Sequence, residues 1–198
     1  AEAGRPRSPG EGEGDMSFRQ RRGWFRRVNG EPVKKVAIGN HGGTFPAGRP
    51  HGVVFHYTVG CSTDISGALK SRGISVHFSV GLDGKIIQYV SVANEAWHAD
   101  NANDHYIGIE HAAYPGRCEL TDRQLEASAK LVAALREFYE RKRGKSWPLH
   151  KIATSALEAG FHDHRDGNGS LWNYNGHTDH LYRWTWEKYL DRVRHWAR

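Results

Sequence analysis

The stretch Val53-Val54-Phe55-His56-Tyr57-Thr58-Val59 constrains the fold more than any other part of this 198-residue chain. β-Branched and aromatic residues dominate it, the composition of a strand buried in a sheet. Alternation puts Val54, His56 and Thr58 on one face and Val53 and Phe55 on the other. An imidazole inside such a run is costly, because without a partner it forfeits about 1–3 kcal/mol in desolvation. His56 therefore calls for a backbone carbonyl or a metal ion, and this residue alone leaves both open.

Other elements follow from the same kind of pattern. Ser75-Val76-His77-Phe78-Ser79-Val80 alternates strictly and Asp83-Gly84 separates it from Ile86-Ile87-Gln88-Tyr89-Val90, which predicts a hairpin with a primed turn and His77 on its polar side with Ser75 and Ser79. Tyr106-Ile107-Gly108-Ile109-Glu110 reads as a short strand with Glu110 facing away from Ile107 and Ile109. Thr121 and Gln124 form a capping box for a helix whose spacing runs through Leu125, Ser128, Val132, Leu135 and Tyr139 and stops at Arg141-Lys142-Arg143-Gly144. A closing helix is expected from Thr185 to Trp196, with Trp186, Tyr189, Leu190 and Val193 as its buried stripe. The fold class expected is α/β, a single domain with a central mixed β-sheet and helices packed on its faces.

Charge divides the chain. Residues 1–15 are rich in Gly, Pro and Glu with nothing apolar larger than Ala, so they are expected to be a disordered tail or a remnant preceding Met16. Residues 16–50 form a basic segment with eight Lys or Arg against Glu31 alone, suited to anionic polymers, and residues 51–198 form the core. No apolar run approaches the roughly 20 residues of a membrane-spanning helix. No charged-then-apolar signal stretch opens the chain, which leaves the compartment unassigned. Cys61 and Cys118 are too few for a disulfide scaffold or a Cys-rich zinc module; a bond between them, or a free Cys61 thiol near Thr58, are both open.

Histidine is where the chemistry concentrates. His162-Asp163-His164-Arg165-Asp166 and His177-Thr178-Asp179-His180 place four His and three Asp within 19 residues, the nitrogen and oxygen donors that zinc accepts. Any one of these His is most simply a polar loop residue, and Glu110 alone is most simply a structural carboxylate. Beside a metal site Glu110 becomes a general base. Asp163-His164-Arg165-Asp166-Gly167-Asn168 with Asn173 and His177 also loosely resembles a His-Asn-His nuclease motif, but that reading leaves His56, His77, Trp97 and Glu110 without a role.

Taken in order, Val-Val-Phe-His56-Tyr-Thr, Val-His77-Phe-Ser-Val with Asp83-Gly84, Ala-Trp97-His98-Ala, Ile-Gly-Ile-Glu110, His164-Arg-Asp and His177-Thr-Asp179 resemble the zinc-dependent N-acetylmuramoyl-L-alanine amidases, over about residues 50–190. Their fold is shared with peptidoglycan recognition proteins and phage amidase lysins. The resemblance implies hydrolysis of the bond between N-acetylmuramic acid and L-alanine in peptidoglycan. It makes His56, His164 and Asp179 the ligands of one Zn2+ and Glu110 the residue that activates water. His177 stands where the family often has Lys and would stabilise the oxyanion; Trp97 and His98, with Thr58, would line the substrate groove, while His77 would be structural. Two departures keep His162, His177 and His180 as alternative ligands: His180 replaces the usual Pro after the third ligand, and the 14 residues between His164 and Asp179 form a long loop. A non-catalytic peptidoglycan receptor on the same fold is the alternative function, and it predicts a missing third ligand. The partners implied are peptidoglycan and, through residues 16–50, anionic wall polymers; nucleic acid is not expected. The absent signal stretch fits either a phage lysin released from the host cytoplasm or a processed secreted enzyme.

Overall fold

Two short turns set the first elements. Arg22-Gly23 and Asn29-Gly30 both adopt positive φ, at 53° and 77° and at 42° and 85°, the pattern that two-residue hairpin turns require. They join Phe18–Arg21 (β1), Trp24–Val28 (β2) and Glu31–Lys35 (β3) into an antiparallel meander. The computed structural model describes residues 18–167, 172, 176, 178–180 and 182–197, with Arg143 described by its backbone alone. The tail expected over residues 1–15 lies outside the described residues.

Further along come His41–Thr44 (β4), Gly52–Tyr57 (β5), the helix Ser66–Arg72 (α1), Phe78–Val80 (β6), Ile86–Gln88 (β7), Asn94–Ala96 (β8) and Tyr106–His111 (β9). The long helix Asp122–Arg143 (α2), the strand Gly160–Asp163 (β10) and the helix Trp186–Trp196 (α3) complete the order. The main sheet runs β1-β2-β3-β7-β6-β9-β5-β10, and β4 pairs separately with β8. Strands β6, β9, β5 and β10 are parallel neighbours, while β7 is antiparallel to β6, so the sheet is mixed as expected.

The central strands are buried on both faces. On one face Phe55, Phe78, Ile107 and Ile109 pack against Leu131, Leu135 and Phe138 of α2 and Tyr189 of α3. On the other, Ile87 and Tyr89 pack against Leu69 of α1, and Val54 against Tyr106 and Trp172. The capping box at Thr121 and Gln124 is formed, and Gly144 ends α2 in the left-handed conformation. Thr185 caps α3, whose Tyr189, Leu190 and Val193 are buried. Trp186 is only partly buried, and its indole Nε1 donates to the buried Asp163 Oδ2 at 3.0 Å. No helix among the described residues is long and apolar enough to cross a membrane.

One expectation for the 75–90 hairpin needs correction. The turn is not primed: of residues 81–85 only Gly84 has positive φ, at 80°. Leu82 and Asp83 stay at negative φ, where side chains meet no clash, and the glycine absorbs the left-handed step after the Gly84 N–H to Gly81 carbonyl bond. Ser75, His77 and Ser79 are all buried, and their polarity is satisfied inside. His77 Nε2 donates to the Asn94 carbonyl at 2.9 Å, Nδ1 accepts from Gly108 N–H at 3.0 Å, and Ser79 Oγ donates to the Thr63 carbonyl at 2.6 Å.

Burial lowers the His77 pKa to about 4; its hydrogen bond to Asn94 acts against that shift and His41 adds to it. Unfolded histidine titrates near 6.5. Between those values the unfolded chain holds one proton more than the folded one, so stability is complete above pH 6.5 and falls as pH drops toward 4. Denaturation midpoints across that window should show His77 contributing about 1.4 kcal/mol per pH unit. His77→Gln, which keeps a donor toward Asn94, should flatten the slope by that amount; an unchanged slope contradicts the assignment.

Candidate active site

Parallel pairing brings the site together. Strands β9, β5 and β10 all end on one side of the sheet, where ligands bind in open α/β sheets. His56 on β5 stands in register with Glu110 on β9, so both side chains emerge on the same face. Strand β10 hands directly to a 3-10 turn that begins at His164. The Arg165 N–H donates to the Asp179 carbonyl at 3.2 Å and ties the 178–180 segment to that turn.

His56 Nδ1 and His164 Nδ1 each lie 3.1 Å from the same atom, Asp179 Oδ2. The two rings meet edge to face with centroids 4.3 Å apart. One donor atom from each of the three residues falls within 4.8 Å of the other two, and among the described residues no other such His, Cys, Asp and Glu group forms. A tetrahedral zinc site with bonds of about 2.0–2.1 Å has ligand-to-ligand edges of roughly 3.3 Å. The two observed contacts match that edge, and two imidazoles with one carboxylate form a donor set that leaves a fourth position open. The residues fit the metal.

The electrostatics point the same way. Burial by itself would raise the Asp179 carboxyl, but the hydrogen bonds and charges of His164 and His56 outweigh it and hold the group below the usual carboxylate range. Glu110 shows the opposite response. Burial, reinforced by the negative charge of Asp179 and opposed by Arg72, pushes it up to about 8. Its Oε2 is buried and has no hydrogen-bond partner among the described residues. A carboxyl group with a raised pKa beside a cluster of metal donors has the chemistry to take and give a proton near neutral pH.

His56, Glu110, His164 and Asp179 all line a groove of about 660 Å³, together with Thr58, Trp97 and His98. Trp97 is 42% exposed and so belongs to the groove wall, not the core. Thr58 Oγ1 donates to the Gly60 carbonyl at 2.7 Å, which shapes the end of β5. His98 shows the groove an edge while both ring nitrogens are engaged within the fold. His77 lies behind His98, its ring centroid 5.9 Å away. His162 has other partners, with Nε2 3.1 Å from the Tyr106 hydroxyl and its ring against Trp172. His180 turns its Nδ1 to the Thr178 carbonyl. Neither joins the donor cluster. His177, Asn168 and Asn173 lie outside the described residues.

One groove residue carried no signal in the sequence. Arg72 closes α1, a helix of seven residues, too short for periodicity to reveal. Val59, expected at the end of the buried strand, instead lies beyond Tyr57 where β5 stops, at the rim, 59% exposed and with φ at 48°, a conformation costly for a β-branched residue. Cys61, just beyond it, is bonded to Cys118 across 57 residues, which decides the pairing and excludes a free thiol. With the Gly60 to Ala113 bridge, that bond fastens the loop after β5 to the loop after β9.

The sequence profile of the N-acetylmuramoyl-L-alanine amidase family matches residues 46–179. Among solved structures the chain is similar to the Staphylococcus aureus hydrolase AmiA in complex with its ligand, at 17% identity over 84% of each chain with a TM-score of 0.63. It is also similar to the PlyG catalytic domain, at 16% identity over 83% of this chain and 94% of that one, TM-score 0.56. A third likeness is to the N-acetylmuramoyl-L-alanine amidase LysC from Clostridium intestinale, at 19% identity over 70% of this chain and 85% of that one, TM-score 0.50. At such identities these structures establish the shared fold. No curated protein matches the chain.

Proposed function

The chain belongs to the N-acetylmuramoyl-L-alanine amidase family, and we propose that it hydrolyses, with one Zn2+, the amide bond between N-acetylmuramic acid and L-alanine in bacterial peptidoglycan. The observation that carries this reading is the meeting of His56, His164 and Asp179 opposite Glu110 in one groove. Zinc held by the three donors would supply Lewis acidity and lower the pKa of water to about 7. Glu110 takes the proton of the water that attacks the lactyl carbonyl, and returns one to the departing L-alanine nitrogen. The reading assigns His177 as donor to the oxyanion. Trp97 and Thr58 form the walls along which the glycan and stem peptide lie. The receptor alternative predicts a missing third ligand, and Asp179 stands with the two histidines. The nuclease reading still gives His56, Trp97 and Glu110 nothing to do.

The basic strands support a second contact. Arg19, Arg21, Arg22, Arg26, Arg27, Lys34 and Lys35 are all exposed, and Arg19 stands directly opposite Arg27 in the β1–β2 register. Like charges facing one another across a ladder are destabilising, and an anionic partner relieves them. Glu31, the one acid of that segment, is engaged by Lys130 at 2.8 Å and Arg123 at 3.5 Å. These strands would hold the enzyme on anionic wall polymers, and its place of action is the bacterial wall.

Digestion of purified sacculi should release intact stem peptides from intact glycan, as read by mass spectrometry. Glu110→Gln should slow this about 10²–10⁴-fold, and a chelator should stop the wild type until Zn2+ is restored. Cuts within the glycan, or equal digestion by the variant, would overturn the reading. Raising the ionic strength from about 0.05 to 0.5 M should weaken binding to sacculi through screening; binding indifferent to salt would remove the role given to the basic strands.

A further inference from the structure

His98 is engaged at both ring nitrogens in a way that groove-lining alone does not require. Its Nε2 lies 3.2 Å from the Tyr106 carbonyl oxygen, which can only accept, so Nε2 carries the proton. In a neutral ring Nδ1 is then an acceptor, and it lies 3.1 Å from His56 Nε2. His56 Nε2 must therefore be the donor. With its proton held there, His56 presents an Nδ1 lone pair to Asp179 Oδ2 at 3.1 Å, a contact that a cation between them turns from repulsive to bonding.

We propose that His98 is a positioning residue for the metal site: it passes the direction of the Tyr106 carbonyl through two imidazoles in series, locking His56 in the tautomer whose Nδ1 can bind a metal. The proposal rests on the metal reading above. It adds a role to a residue that sequence reasoning placed only in the groove wall. Metal-binding histidines commonly give their second N–H to a carboxylate, a backbone carbonyl or water. Here a second histidine stands between ligand and carbonyl.

The backbone around His98 is shaped to hold it. Gly108 lies under the ring: a Cβ there would come within 2.7 Å of His98 Cγ and 2.8 Å of Nδ1. The strand therefore needs glycine at that point for the imidazole to lie against it. Asn103 Oδ1 accepts from the backbone N–H groups of both His98 and Ala99 at 2.7 Å, fixing the turn that carries the ring.

The direct test is nitrogen NMR on the full chain loaded with Zn2+ and labelled with 15N at histidine. The proposal expects a proton on His56 Nε2, none on His98 Nδ1, and a nitrogen–nitrogen coupling across the hydrogen bond between them. A proton on His98 Nδ1, or no coupling, overturns it. The second measurement is Zn2+ affinity by chelator competition. His98→Leu should lose about 10–100-fold, Gly108→Ala should lose affinity by displacing the ring without altering any nitrogen, and His98→Asn, whose Oδ1 replaces the Nδ1 acceptor, should recover most of the loss. Wild-type affinity in His98→Leu, or a His98→Asn as weak as His98→Leu while equally folded by circular dichroism, overturns the relay alone. A wild type that binds no Zn2+ overturns the metal reading on which it stands.

Discussion

Two imidazole nitrogens directed at one oxygen of a largely buried carboxylate are the contact on which this structure turns. His56, His164 and Asp179 bring three donor atoms to separations that a ring proton or a shared cation makes favourable. A divalent ion also leaves a position for chemistry. The surrounding groups respond to the same centre: Asp179 is held ionised by the histidines, while Glu110, buried and facing that negative charge, is pushed toward its neutral form. A cation at the centre would reverse the pressure on Glu110 and free it to act as a base.

The fold earns this arrangement through strand direction. Parallel β9, β5 and β10 bring Glu110, His56 and His164 to one rim although they are far apart in the chain. The apolar side of the same strands is packed against α2 and α3, which anchors the rim to the core. The Cys61–Cys118 bond and the bridge from Gly60 to Ala113 hold the two loops leading away from it.

Elements with a strong local cause were legible in the sequence. The Thr121 and Gln124 box, the Gly144 stop and the alternation around His56 each state their structure within a few residues. The β1–β3 meander was not recognised, although Asn29-Gly30 is a strong hairpin signal, because arginines occupy its outward positions and mask the alternation. Ser75, His77 and Ser79 mark a polar side, but that it is buried depends on hydrogen bonds that close internally, to Thr63, Asn94 and Gly108, all remote in sequence. The donor set was legible only through resemblance, since spacing along the chain does not say that residues 56 and 179 meet. The tie from His98 to His56 left no trace at all, because it depends on a glycine on another strand that lets a ring approach.

The most direct measurement is anomalous diffraction at the zinc absorption edge from crystals of the protein soaked in Zn2+. The account predicts one strong peak bonded to His56 Nδ1, His164 Nδ1 and an Asp179 carboxylate oxygen, with bond lengths of about 2.0–2.2 Å. A peak elsewhere, or none at this cluster at saturating Zn2+, would contradict it.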